Sequence, residues 1–112
     1  MPTLPHKDEE AAVSASDVVL VVFDGVEVID VAGPASVFSK AEQMHPGPHR
    51  LHIASPAGGT VSTNGGLSFS GTCSLQQLPA SIDTLIVAGG DEPAGRAAIL
   101  EQRIGAWLEQ VA

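Results

Sequence analysis

Two runs of this chain are apolar at every position: Val18-Val19-Leu20-Val21-Val22-Phe23 and Leu85-Ile86-Val87-Ala88. Runs without polar alternation suit strands buried on both faces, as in the middle of a parallel sheet. Asp24-Gly25 ends the first run and Gly89-Gly90 the second. A third segment, Arg50-Leu51-His52-Ile53-Ala54, alternates and predicts a partly exposed strand that stops at Ser55-Pro56.

Between these strands the periodicity changes. Ala35, Phe38, Ala41 and Met44 recur at helical spacing, behind Asp30 and Gly33-Pro34. Asp30 stands where a helix cap is expected, and a proline is tolerated in the first turn, whose N–H has no partner. Pro46-Gly47-Pro48 stops the helix. Segments 58–63 and 67–70 flank Asn64-Gly65, a pair tolerant of positive φ that signals a hairpin hanging off the main sheet. Leu75 to Leu78 leaves room for one helical turn. From about Pro93 onward, Leu100, Ile104, Trp107, Leu108 and Val111 form the apolar stripe of one amphipathic helix. Strand, helix, strand, hairpin, strand, helix is the order of an α/β fold with a parallel sheet and right-handed crossovers. Residues 1–16 show no periodicity and predict a flexible leader before a domain at 17–112.

Composition narrows the function classes. The chain has 112 residues, 44% hydrophobic and 16% charged, which suits one small domain with a core and excludes a disordered chain. No apolar run reaches the roughly 20 residues that span a bilayer. The start of the chain, with Asp8, Glu9 and Glu10, does not read as a secretory signal. Five Lys and Arg against thirteen Asp and Glu leave a net charge of −8, with no basic cluster. Contact with nucleic acid by this chain, or with an anionic membrane, is therefore not expected. The single cysteine, Cys73, cannot form an internal disulfide and fits a reducing, cytoplasmic setting.

Candidate chemistry gathers at loops. Asp24, Glu27 and Asp30 follow the first strand, at the end of a parallel sheet where ligands bind. Asp30 there is either a helix cap or an acid or base turned to a ligand. The loop from Gly89 to Gly95 is glycine-rich but lacks the Gly-Lys-Ser/Thr of a phosphate loop, and Asp91 and Glu92 would repel phosphate. It reads as a tight turn, with or without N–H groups offered to a small anion or carbonyl oxygen. His45 and His49 are split by Pro-Gly-Pro, His52 lies in a strand and His6 in the leader, so neither a metal site nor a cofactor is expected. Cys73 has no histidine in its own element and no Lys or Arg between Arg50 and Arg96, which suits a structural thiol.

The stretch Val22 to Phe38, with Ile29-Asp30-Val31-Ala32-Gly33-Pro34 at its centre, resembles one family together with Ile53 to Gly59 and Asp83 to Gly90. It is the PfpI-type branch of the class I glutamine amidotransferase-like superfamily. Within that branch, the segments are similar to the N-terminal sensing domain of AraC-type transcriptional regulators, with isonitrile hydratase a near relative. The resemblance implies a flavodoxin-like parallel sheet, of which this chain is the N-terminal half with a small hairpin. It implies that Asp30 corresponds to the family's acid beside the nucleophile, and that Gly89 and Gly90 line the pocket, which makes these three the expected ligand-binding residues. The family's nucleophilic cysteine sits on an elbow after a further strand. Cys73 lies upstream and does not match it, so no catalytic residue is expected beyond Asp30 as a weak candidate.

The function so implied is a partial small-molecule-sensing domain, with a small polar metabolite as effector, self-association, and a DNA-binding part outside these residues. The alternative is a fragment of a PfpI-type hydratase or hydrolase without its nucleophile. In the implied strand order, the strand at 83–88 has one bare edge. Lost cover over its apolar side chains would cost on the order of 10 kcal/mol, against a whole-domain stability of about 5–15 kcal/mol. The isolated chain is therefore expected to be marginal or aggregation-prone unless self-association covers that edge.

Overall fold

A computed structural model describes residues 16–100 and 104–111. Of the expected leader, residues 1–15 lie outside the described residues. The first strand, β1 (Ser16–Val21), is apolar on both faces, and Val19, Leu20 and Val21 are fully buried. It begins two residues before the apolar run because Ser16 and Asp17 pair with His49 and Arg50. Val22 and Phe23 stay buried beyond its end, and the Val22 N–H still donates to the Ala54 carbonyl at 2.8 Å.

Helix α1 (Val28–Met44) follows, then β2 (His49–Ser55), β3 (Gly59–Ser62), β4 (Ser68–Ser74) and a single 3-10 turn at Leu75–Gln77. Strand β5 (Thr84–Val87) leads into helices α2 (Glu92–Leu100) and α3 (Ile104–Val111). The five strands form a sheet in the order β3-β4-β2-β1-β5. β1 runs parallel to β2 and to β5, β2 runs parallel to β4, and only β3 is antiparallel to its neighbour. The α/β expectation holds, with β2-β1-β5 reproducing the first three strands of a flavodoxin-like sheet. No helix among the described residues is long and apolar enough to cross a membrane.

Local details depart from the sequence reading in five places. The cap of α1 is Glu27, so Asp30 sits within the first turn and Pro34 inside the helix. Proline has no N–H to donate, which leaves the Asp30 carbonyl without its usual partner four residues on. Of the apolar positions expected on α1, Ala35, Phe38 and Ala41 are half-buried, but Met44 is 83% exposed.

The hairpin does not hang free. β4 joins β2 through Ala54–Cys73 and Ser55–Ser74, so β3 and β4 extend the main sheet. Its turn is also longer than Asn-Gly alone. The Thr63 N–H donates to the Leu67 carbonyl at 2.9 Å, and the left-handed residue is Gly66, with φ 81°. That is a three-residue loop closed by a glycine.

The expected C-terminal helix is two helices. A Cβ on Gly105 would stand 3.1 Å from the Ile99 carbonyl oxygen. Six residues of straight helix rise about 9 Å, so the chain turns between them. Ile104 and Trp107 are buried, while Leu100 is exposed.

At the N-terminal end of the sheet, Asp17 ties three strands together. Its Oδ1 accepts from Arg50 Nε at 3.0 Å and His52 Nε2 at 2.9 Å, and its Oδ2 accepts from Arg50 Nη2 at 3.1 Å. The Asp17 N–H donates to Asp83 Oδ2 at 2.8 Å, and the Asp83 N–H donates to the Asp17 carbonyl at 2.9 Å. The His52 hydrogen bond, followed by that of Arg50, holds the Asp17 carboxyl below its ordinary value of 3.8. A depressed carboxyl pKa stabilises the fold above the unfolded value, and that contribution disappears as pH falls through the folded one. Asp17→Asn is therefore expected to lower Tm at neutral pH. Melting curves of the two proteins converge when pH drops well below 3.8, and a deficit that persists unchanged there contradicts this account.

Candidate functional site

β1 and β5 are adjacent and parallel; β1 feeds α1 and then β2, on the side away from β5, and β5 feeds α2. Ligands of open α/β sheets bind in the crevice beyond the strand ends at such a switch. Here the loop from Asp24 to Glu27 and Gly89-Gly90 stand at that position.

Hydrogen bonds stitch the two loops. The Glu27 N–H, unpaired within α1 because it precedes the first turn, donates to the Gly89 carbonyl at 2.8 Å. The Gly89 N–H donates back to Asp30 Oδ2 at 2.9 Å. Asp30 Oδ1 takes no bond from the described residues. The carboxylate is half-buried at the positive end of the α1 dipole, beside an exposed glycine lip.

Glycine is required on that lip by space. A Cβ on Gly89 would lie 2.5 Å from Asp30 Oδ2, and one on Gly90 would lie 3.0 Å from the Phe23 ring and from the Gly25 carbonyl oxygen. Gly25 has φ 87°, and a Cβ there would strike Ala94 of α2 at 2.6 Å. The three expected site residues, Asp30, Gly89 and Gly90, thus meet at one place, and Asp30 engages the loop after β5 instead of capping α1.

The other two carboxylates of the first loop face the hairpin. Asp24 Oδ1 accepts from the Ser62 N–H at 3.0 Å and from Ser62 Oγ at 3.2 Å. Glu27 accepts from the side-chain amide of Asn64, and the Asn64 N–H donates to the Val26 carbonyl at 3.0 Å. They latch the hairpin tip over the end of β1. A shallow cleft of 210 Å³ lies on that side, bounded by Phe23, Asp24, Pro56, Gly58 and Thr60.

Asp91 has a role that the sequence reading missed. Its Oδ1 accepts from the Ala94 N–H at 2.9 Å, the bond of an N-terminal helix cap. An aspartate three residues ahead of that donor and just before Glu92-Pro93 was the available signal.

Cys73 stays apart from this site. It is half-buried on β4, opposite Ala54. Three strand spacings of about 4.8 Å separate β4 from β5, or roughly 14 Å. Among the described residues no group of three His, Cys, Asp or Glu is placed to hold a metal ion. His52 binds Asp17, and His49 packs edge-on against Phe38 with ring centres 5.9 Å apart. His6 lies outside the described residues.

Comparison with known proteins places this geometry. An uncharacterised protein of Streptomyces lividans, encoded 5′ of cpoL, is 38% identical over 78 residues, which are 70% of this chain and 54% of that protein. Two solved structures share the fold. One is an AraC family transcriptional regulator from Pseudomonas putida, with TM-score 0.58 and 19% identity over 69% of this chain and 48% of that one. The other is a DJ-1 superfamily protein from Agrobacterium tumefaciens, with TM-score 0.61 and 18% identity over 86% of this chain and 47% of that one. The chain thus spans about half the length of these relatives. Residues 16–111 match the sequence profile of the DJ-1/PfpI family, and the chain belongs to that family.

Proposed function

We propose that this chain forms part of a small-molecule-sensing domain, of the kind implied by its likeness to an AraC family regulator. Asp30, Gly89 and Gly90 are the ligand-contacting residues in this reading. The observation that carries it is the Asp30 carboxylate. One oxygen is held by the Gly89 N–H and the other takes no bond from the described residues, at the strand ends where α/β sheets take ligands. A fixed acceptor beside a bare glycine backbone suits a small polar metabolite with an N–H donor, such as an amide or an amino acid. Cys73 takes no part in this recognition, because it lies three strands away. DNA contact in the whole protein falls to a separate helix-turn-helix part, since a net charge of −8 opposes phosphate binding here.

Calorimetric titration with a panel of small amides and amino acids tests the reading. Asp30→Asn keeps an oxygen for the Gly89 N–H but loses the charge. It is expected to weaken the bound ligand by about tenfold or more, the scale of a charged hydrogen bond, while Tm moves little. A large fall in Tm with unchanged affinity would return Asp30 to a structural role. Turnover of an amide or isonitrile by the purified chain would make it an enzyme.

Gly89→Ala is expected to displace the carboxylate, since the new methyl group falls within 2.5 Å of Oδ2. Affinity and stability drop together, the latter by about 1–3 kcal/mol. Gly33→Ala, in the same helix and with nothing within 4 Å of the added carbon, serves as the control. It is expected to stabilise by about 0.5–1 kcal/mol through helix propensity.

A further inference from the structure

Asn64 is the only asparagine of the chain, and a glycine follows it. Both residues are exposed at the tip of the hairpin. The Asn64 side-chain amide donates to Glu27 Oε2, and its main-chain N–H donates to the Val26 carbonyl at 3.0 Å. The Gly65 N–H donates to Thr63 Oγ1 at 3.2 Å. Glu27 precedes α1 and donates its own N–H to the Gly89 carbonyl, so a single amide joins the hairpin tip to the candidate site.

Glycine at 65 is imposed by space: a Cβ there would stand 2.8 Å from Val28 Cγ2. A residue without a side chain also leaves its nitrogen free to approach the side chain before it, because no Cβ obstructs the five-membered ring that forms. The fold thus demands at 65 the residue that makes Asn64 chemically labile.

We propose that Asn64 is a site of self-modification, at which loss of the amide nitrogen releases the hairpin tip from Glu27. The Gly65 main-chain nitrogen attacks Asn64 Cγ. A bond forms between them, the Cγ–Nδ2 bond breaks, and the amide nitrogen leaves as ammonia with the proton that Gly65 gives up. Water then opens the cyclic imide at either carbonyl, which yields aspartate or isoaspartate. Nothing is oxidised or reduced, and water is the only co-reactant.

Hydrogen bonds set the rate. In the closed tip the Asn64 amide is held by Glu27 and the Gly65 N–H by Thr63, so ring closure proceeds from locally opened states. The opening is confined to the tip, because Ser62 keeps the root of the hairpin on Asp24 and on the Gly25 N–H. The product does not close again. A carboxylate has no hydrogen to donate to Glu27, and like charges face one another where a bond stood. Isoaspartate also adds a carbon to the main chain, within the loop that the Thr63–Leu67 bond closes.

Peptide mapping by mass spectrometry, on the full chain incubated folded and in urea, tests the proposal. Asp24-Gly25, an Asp-Gly pair in the same region, keeps its mass and charge on isomerising and does not confuse the result. The acid form is expected to accumulate at position 64 of the folded chain, about tenfold or more slowly than in urea. Glu27→Ala brings the folded rate toward the unfolded one. Glu27 makes no side-chain cap bond to α1, so this change leaves the helix start intact. Asn64→Gln, which would have to close a six-membered ring, keeps its amide. Asn64→Asp reproduces one product. It is expected to lower Tm by a few degrees, about the effect of one lost hydrogen bond. Hydrogen exchange quickens at the main-chain amide of position 64, while Ser62 stays protected. Adding Glu27→Gln to that chain restores an amide opposite the carboxylate, with the roles exchanged, and recovers both properties. A folded chain that keeps its amide as long as Asn64→Gln overturns the proposal, as does a folded rate indifferent to Glu27→Ala. So does an Asn64→Asp chain that melts and exchanges like the unmodified one, or one that Glu27→Gln does not rescue. None of these readouts involves a ligand, so their outcome is independent of the sensing role.

Discussion

The burial of β1 on both faces is the constraint from which the rest of this molecule follows. A strand whose residues from Val18 to Val22 are essentially inaccessible must have a neighbour on each side and cover above and below. β2 and β5 supply the neighbours, both parallel, and parallel neighbours can be reached only by crossover connections. β2 and β5 lie on opposite sides of β1, and the loops at its C-terminal end stand where ligands of open α/β sheets bind. The place of the candidate site thus follows from how the central strand is enclosed. Asp17 completes the enclosure at the other end, where its buried carboxylate pairs with Arg50 and is hydrogen-bonded to His52.

Within the crevice, three carboxylates in seven residues are sorted by their partners. Asp24 and Glu27 satisfy donors of the hairpin, Ser62 and Asn64, and thereby hold β3 and its turn against the end of β1. Asp30, one helical turn further on, reaches across to Gly89. The two latching residues are engaged in architecture. Asp30 differs from them in its partner: it is held by the loop after β5, against the exposed Gly89-Gly90 backbone, and not by the hairpin.

Much of this was legible in the chain. The unbroken apolar runs identified β1 and β5, and the glycine pair after β5 marked the lip of the crevice. What escaped was set by contacts between distant residues. The position of Asp30 resembled a cap, but the cap fell to Glu27 because the Gly89 carbonyl, 62 positions later, takes its N–H. Asn64-Gly65 signalled a turn correctly, yet Gly66 adopts the left-handed conformation because the Asn64 amide is drawn to Val26. The apolar stripe from Leu100 to Val111 had helical period throughout. Period alone could not show the turn that brings Gly105 against Ile99, since each half keeps its own buried positions. Asp17 gave no signal as a polar residue at a strand start, for its meaning depends on Arg50 and His52 in another strand.

β5 and the candidate site share one piece of chain. Val87 ends β5, Ala88 is anchored to Val21, and Gly89 already belongs to the site. The position of Asp30 is therefore set by the same register that holds β5 against β1: the Ala88 N–H fixes the strand to Val21, and the next N–H fixes the carboxylate.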